Sequence, residues 1–138
     1  MTLTKRMLGT LAIACMMVSL PACDVAAKKT SNDLKQVLLS YHSYLDDKKA
    51  PPPDEKEFSA WVSAKQPEVA APLARLQAAG YKVYWGTPVA NLPAGSSNTI
   101  LIHPADAATK GGLVGYADGS ARQVTAEAFN KAAKPTTK

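Results

Sequence analysis

The chain has 138 residues, which is enough for one domain. Its 16 lysine and arginine residues outnumber 11 aspartate and glutamate residues, giving a formal net charge of +5. The basic residues do not cluster, so the composition argues against nucleic-acid binding.

The first 22 residues have the features of an export signal. Lys5 and Arg6 supply positive charge, and residues 7–22 follow without a charged side chain. This run is shorter than the about 20 residues that span a bilayer. It matches the apolar region of a secretory signal peptide instead.

The apolar run ends in Leu20-Pro21-Ala22-Cys23, which resembles a lipobox. In a lipobox the cysteine thiol carries a diacylglyceryl group, and the small residue before it admits the signal peptidase. Two or three acyl chains anchor a protein stably, since each buried methylene contributes about 0.8 kcal/mol. The sequence therefore predicts lipidation at Cys23 and a membrane-anchored cell-envelope protein facing the periplasm or the exterior.

Three alternatives stay open. Cleavage could follow Val25-Ala26-Ala27, with Cys23 present by chance, or Cys15 could carry the lipid, or the segment could remain as an uncleaved anchor. If residues 1–22 are removed, 14 basic and 11 acidic residues leave a net charge of +3. An acylated Cys23 would also leave no thiol for a disulfide or a metal.

Helices are predicted in the first half of the remaining chain. Residues 23–31 are expected to be the lipidated cysteine and an extended tether, and Ser31 or Asn32 to cap the first helix. That helix has an apolar stripe formed by Leu34, Val37, Leu38, Tyr41 and Leu45. After the prolines at 51–53, Asp54 is expected to cap a second helix and Pro67 to begin a third, which Pro72 should weaken or kink.

Strands are predicted in the second half, at residues 81–85, 99–103, 113–117 and 121–124. Asp118-Gly119 indicates a type I′ hairpin turn between the last two. Thr125 is expected to cap a short final helix, and residues 135–138 to be a disordered tail. The predicted fold class is α+β, with N-terminal helices, a four-stranded antiparallel sheet and a C-terminal helix in one domain, residues 32–134.

Two stretches carry a resemblance to a known family. Residues 32–53, beginning Asn32-Asp33-Leu34-Lys35-Gln36 and ending in the prolines, are similar to the segment after the prepilin helix of type II secretion pseudopilin-like proteins. Residues 112–129, with Gly115-Tyr116-Ala117-Asp118-Gly119-Ser120, are similar to the C-terminal hairpin of the same group.

The resemblance implies a pseudopilin-like head in which one helix packs across a small antiparallel sheet. The chain departs from the family because it has no prepilin leader and no long membrane helix of that type. His103 also stands further before the Asp-Gly pair than the family's histidine does. Assembly into a pilus is therefore not implied.

Candidate chemistry is sparse. A pair of His103 and Asp106 could orient a proton relay, although a strand end and a local turn explain both residues. Some pseudopilins bind calcium in a C-terminal loop, which would involve Asp106 and Asp118. Calcium needs six to eight oxygens, and these are the only carboxylates between Glu68 and Glu127. No metal site, cofactor or catalytic residue is therefore predicted.

Aromatic residues offer a different candidate. Tyr84 and Trp85, with Tyr81 and Tyr116, could form a stacking surface for a sugar or a peptide. His42 is expected to be an exposed helical histidine. The functional hypothesis is a non-enzymatic, lipid-anchored protein that acts through contacts with envelope or secretion-related proteins. The alternative is a periplasmic or surface module that binds a glycan or peptide.

Overall fold

The computed structural model describes residues 22–136. Most of the predicted signal and the last two residues lie outside this range. The elements in chain order are α1 (Ala22–Lys48), α2 (Glu55–Lys65), α3 (Pro67–Ala78), β1 (Tyr81–Val83), β2 (Ile100–Pro104), α4 (Ala107–Lys110), β3 (Gly112–Tyr116), β4 (Ala121–Val124) and α5 (Ala126–Lys131). The strands form one antiparallel sheet in the order β1-β2-β3-β4. The predicted α+β class is confirmed.

Helix α1 begins earlier than the sequence predicts. The expected start at Ser31 or Asn32 is wrong, because residues 22–31 are already helical. Alanine and lysine dominate this segment and favour helix. The Thr30 hydroxyl also donates to the Ala26 carbonyl inside the helix, at 3.0 Å, rather than capping a new one. The segment predicted as an extended tether thus forms the first turns of α1.

The next two helices begin where predicted. The Asp54 carboxylate accepts a hydrogen bond from the Glu57 amide at 2.8 Å, which caps α2. Pro67 stands at the first turn of α3, and that helix continues through Pro72. Pro72 is buried, so its ring contributes to packing even though it removes one helical hydrogen bond.

The two faces of the sheet carry separate hydrophobic clusters. Leu101, Ile102 and Ala117 belong to the cluster that includes α1, α2 and α3. Val114 and Tyr116 point the other way and form the second cluster with Phe129 of α5. The sheet is therefore covered by α1 and α3 on one side, and Ala107 of α4 and Phe129 of α5 pack in the cluster on the other.

Helix α1 lies across β3 and β4, and a glycine makes the close approach possible. A Cβ atom on Gly115 would stand 2.8 Å from Leu38 Cδ1, so only glycine fits under Leu38 without a shift. Further along the helix, His42 Nε2 donates to the Ala117 carbonyl at 2.7 Å. His42 is half-buried, so the prediction of an exposed histidine is wrong.

The β3–β4 hairpin forms, but not with the predicted turn. A type I′ turn needs positive φ at both central residues. Here Gly119 has φ +88° and Asp118 is not among the residues with positive φ. The Gly119 amide donates to the Tyr116 carbonyl at 3.0 Å, and the Tyr116 amide to the Ser120 carbonyl at 2.8 Å. This is a three-residue loop closed by a left-handed glycine, so the type I′ prediction is wrong.

None of the helices within residues 22–136 combines the length and the apolar character needed to cross a bilayer.

Candidate functional site

The predicted site residues do not form one cluster in the described part of the domain, and only Tyr84 and His103 are shown in contact among them. His103, near the end of β2, packs between two aromatic rings, with centroid distances of 5.3 Å to Tyr84 and 4.9 Å to Phe129. Its Nδ1 donates to the Pro104 carbonyl at 2.7 Å. In the neutral ring this leaves Nε2 as an acceptor. The pairing of Tyr84 with His103 was not predicted, since cross-strand neighbours are unknown before the register is.

Asp106 does not orient His103. The Asp106 carboxylate lies 3.5 Å from Lys110 Nζ, one turn further on, and both side chains are largely exposed. No hydrogen bond joins the two residues in the described part of the chain, and His103 Nδ1 is hydrogen-bonded to the Pro104 carbonyl instead. The geometry gives no support to a proton relay through this pair.

Asp118 is held within its own turn. One carboxylate oxygen accepts from the Ser120 amide at 2.9 Å and the Ser120 hydroxyl at 2.6 Å. The other lies 3.7 Å from the Arg122 guanidinium, which stacks over Tyr116. Partial burial raises the pKa of the Asp118 carboxyl, but the Ser120 hydrogen bonds and Arg122 outweigh it, so this pKa is lowered. Asp118 therefore stabilises the hairpin.

No metal cluster accompanies these carboxylates. Across residues 22–136, no three His, Cys, Asp or Glu side chains lie where they could share an ion.

Trp85 faces away from Tyr84. Its ring packs against Phe58 at 5.5 Å and against Tyr41 at 6.4 Å between centroids. Two adjacent aromatic residues therefore serve different contacts and do not form one flat stacking surface. Trp85 instead stands beside a cleft.

This cleft has a volume of about 760 Å³ and lies between the loop after Trp85 and the C-terminal segment. The segment is held because the Ile100 amide donates to the Ala133 carbonyl at 3.0 Å. Pro135, predicted to be disordered, is part of the wall and half-buried. The lining is mainly apolar and includes Pro51, Pro88, Pro93, Trp85 and Leu92. Lys134 contributes a charged side chain.

Two polar side chains of the cleft, Thr87 and Lys134, are hydrogen-bonded within the protein. Thr87 donates through its amide to the Tyr41 hydroxyl and through its own hydroxyl to the Tyr84 carbonyl. Lys134 Nζ donates to the carbonyls of Phe129 and Ala132, and burial lowers the pKa of its ammonium group. Because these side chains already form hydrogen bonds within the protein, the cleft suits an apolar ligand surface better than a densely hydroxylated one.

Sequence reasoning found Trp85 but not the cleft. Its walls come from the proline run before α2, the loop after β1 and the C-terminal segment, which are far apart in sequence. Each of these segments contains proline, at 51–53, 88, 93 and 135, but the spacing in the sequence does not show that they meet.

Comparison of the chain with protein-family models, with curated proteins and with solved structures gives no match.

Proposed function

We propose that the protein is a lipid-anchored cell-envelope protein whose pseudopilin-like head acts through contacts with another protein. The observation that carries this proposal is the path of α1. The helix runs from Ala22, next to the residue predicted to carry the lipid, to Lys48. The part of it around Leu38 and His42 lies across the β3–β4 hairpin. This is the arrangement that the family resemblance implies.

The contacts along this path support the arrangement. Leu38 closes over Gly115, and His42 is hydrogen-bonded to the hairpin at Ala117. Both contacts join the two segments on which the resemblance rests, residues 32–53 and 112–129. The helix and the hairpin therefore form one packed unit.

The lipid anchor is tested by replacing its thiol. Cys23→Ser should abolish acyl labelling and release the protein from the membrane fraction. Cys15→Ser is the matched control and should leave both unchanged. Labelling that is lost only in the Cys15 variant, or membrane attachment that persists in Cys23→Ser, would contradict the proposal.

The cleft favours a second candidate function, ligand binding, and its mainly apolar lining suits a peptide better than a glycan. Its apolar lining and volume are in the range of small-molecule sites. A ligand at 100 times its Kd should stabilise the head by about 2.7 kcal/mol, which a thermal shift against cell-wall fragments and proline-containing peptides would detect. Leu92→Glu should remove that shift, whereas Leu39→Glu, on an exposed helix face, should not. An absence of stabilisation by every fragment would contradict this function.

A further inference from the structure

One face of α1 points away from the rest of the head. Given 100° per residue, it covers an arc of about 120° opposite the packed residues Leu34 and Tyr41. We call this surface the outer face; it consists of Val25, Lys28, Lys29, Asn32, Lys35, Gln36 and Leu39, and all seven are exposed.

The outer face carries two unusual apolar side chains. Val25 is 65% exposed and Leu39 is 62% exposed, and they are the large hydrophobic residues found exposed within the described part of the chain. They are 14 residues apart, so they lie on the same side of the helix, about 21 Å from each other along its axis. Their position indicates a surface that contacts something apolar.

The charges on the outer face have one dominant sign. Lys28, Lys29 and Lys35 lie between the two apolar residues. Asp24, at the beginning, forms an exposed pair with Lys28 at 3.4 Å. Asp33 does not contribute, because it points into the head and binds Arg75 through two hydrogen bonds. An exposed helix face with lysines between bulky apolar residues matches a helix that lies in a membrane interface.

The start of the helix places this face near the bilayer. Lys28 and Lys29 follow Cys23 by five and six residues, which is about 8–9 Å along the helix. That distance is comparable to the Debye length of about 8 Å at physiological ionic strength. Charges of anionic lipids are therefore within reach of both ammonium groups.

We propose that the outer face of α1 lies on the surface of an anionic bilayer, with Val25 and Leu39 entering the headgroup region and the three lysines binding lipid phosphates. This inference rests on the proposed lipid anchor and adds the orientation of the head. The head lies along the membrane on α1, and the sheet and α3 face away from the lipid.

Lysine modification in vesicles tests this orientation. The full-length lipoprotein is placed in vesicles of phosphatidylcholine alone or with about 30% phosphatidylglycerol, and is treated with an amine-reactive reagent. Modification of Lys28, Lys29 and Lys35, measured by mass spectrometry, should fall about threefold in the anionic vesicles and recover at about 1 M salt, where screening is strong. Lys48, at the end of α1 about 30 Å from Lys28, and Lys49 just after the helix are internal controls that should not change.

Variants separate the apolar and the charged contributions. Val25→Ser with Leu39→Ser should reduce the protection of the three lysines in anionic vesicles. Lys28→Glu with Lys29→Glu should remove the protection of Lys35, while Lys48→Glu with Lys49→Glu should leave it unchanged.

Three outcomes would overturn the proposal. Equal modification in both vesicles contradicts it, and so does protection that is unaffected by salt. Protection that rises with the protein-to-lipid ratio instead of lipid charge assigns the outer face to a second copy of the chain. The anchor is tested separately: a protein that does not co-sediment with neutral vesicles contradicts the lipid anchor. In that case the anionic vesicles still test the orientation of the domain, because unprotected lysines in those vesicles would contradict the proposed orientation.

Discussion

The two packed faces of α1 are built in different ways. The face against the sheet packs through an apolar side chain, the fully buried Leu38 over Gly115. The face against α2 and α3 combines aromatic packing, such as Tyr44 against Phe58 and Trp61, with side-chain hydrogen bonds. Four of its residues form side-chain hydrogen bonds with α2, α3 or the residue between them: Asp33 with Arg75, Ser40 with Gln66, Tyr44 with Glu57 and Asp47 with Trp61.

The position of α1 in the fold is therefore fixed by two different kinds of contact. The sheet side depends on a close fit between shapes, as Leu38 over Gly115 illustrates. The helix side adds matched donors and acceptors to its aromatic contacts, and these pairs fix the register of α1 against its neighbours. Truncation on the first side should therefore leave a cavity, whereas substitutions on the second should leave polar groups without partners.

The largest effect is expected on the sheet side. Leu38→Ala removes a fully buried side chain and leaves a cavity above Gly115. The free energy of unfolding should fall by about 2–5 kcal/mol, measured by urea denaturation. Leu39→Ala is the matched neighbour, since Leu39 is exposed, and should change it by about 0.5 kcal/mol or less. Similar losses in both variants would refute the assignment of faces.

Arg75→Met should have the next largest effect. Its guanidinium holds Asp33 through bonds of 2.7 and 2.8 Å, and the Asp33 side chain is only 6% exposed. Loss of the arginine leaves a buried carboxylate unpaired, which should cost about 2–3 kcal/mol, since Arg75 itself is partly exposed. Asp33→Asn in the same chain should recover part of this loss. A double variant that is less stable than Arg75→Met alone would contradict the pairing.

A smaller effect is expected for Tyr44→Phe, which removes a hydroxyl that donates to Glu57. The loss should be about 0.5–1.5 kcal/mol in urea denaturation at neutral pH.

The same variant should alter the alkaline titration. The hydrogen bond to Glu57 raises the pKa of Tyr44 to about 12, and burial raises that of Tyr41 to about 12. Because the folded state holds both protons more tightly, the stability they contribute is complete below pH 10 and is lost as the pH rises towards 12. Absorbance at about 295 nm should show that Tyr44→Phe lacks a late-titrating group. Loss of an early-titrating group instead would contradict this assignment.

The smallest effect is expected for Asp47→Asn, at the exposed end of the helix side. The hydrogen bond from Trp61 lowers the pKa of Asp47, so its contribution is present at neutral pH and is lost as the pH falls through the lowered pKa. The difference in melting temperature between the wild type and the variant should therefore shrink in acid. A difference that grows in acid would be contrary to this expectation.

The same contrast explains which features could be predicted from the sequence. The apolar stripe of Leu34, Leu38 and Tyr41 has helical spacing, so one face of α1 was found. Asp33, Ser40 and Asp47 resemble surface residues in any hydropathy pattern, and their partners lie in other elements. The hydrogen bonds of these three residues therefore became evident only in the folded chain.

Neighbouring residues in the sequence predicted some helix ends correctly and others wrongly. The caps at Asp54 and Thr125 were predicted correctly because each depends on residues within three positions. The start of α1 was missed because Ser31 and Asn32 resemble caps, although alanine and lysine before them favour helix. The four-residue α4 lacked a periodic pattern, and the cleft depends on segments brought together only by the sheet.

Because α1 is continuous from Ala22, the number of residues in the helix sets how the domain is turned relative to the proposed anchor at Cys23. An extended linker would transmit no orientation, but each residue added to a helix turns the domain by about 100° about the helix axis and moves it by about 1.5 Å along that axis. One alanine inserted between Val25 and Thr30 should therefore point a different side of the domain at the membrane. Seven inserted residues, close to two full turns, should nearly restore the original side at a greater distance from the proposed anchor.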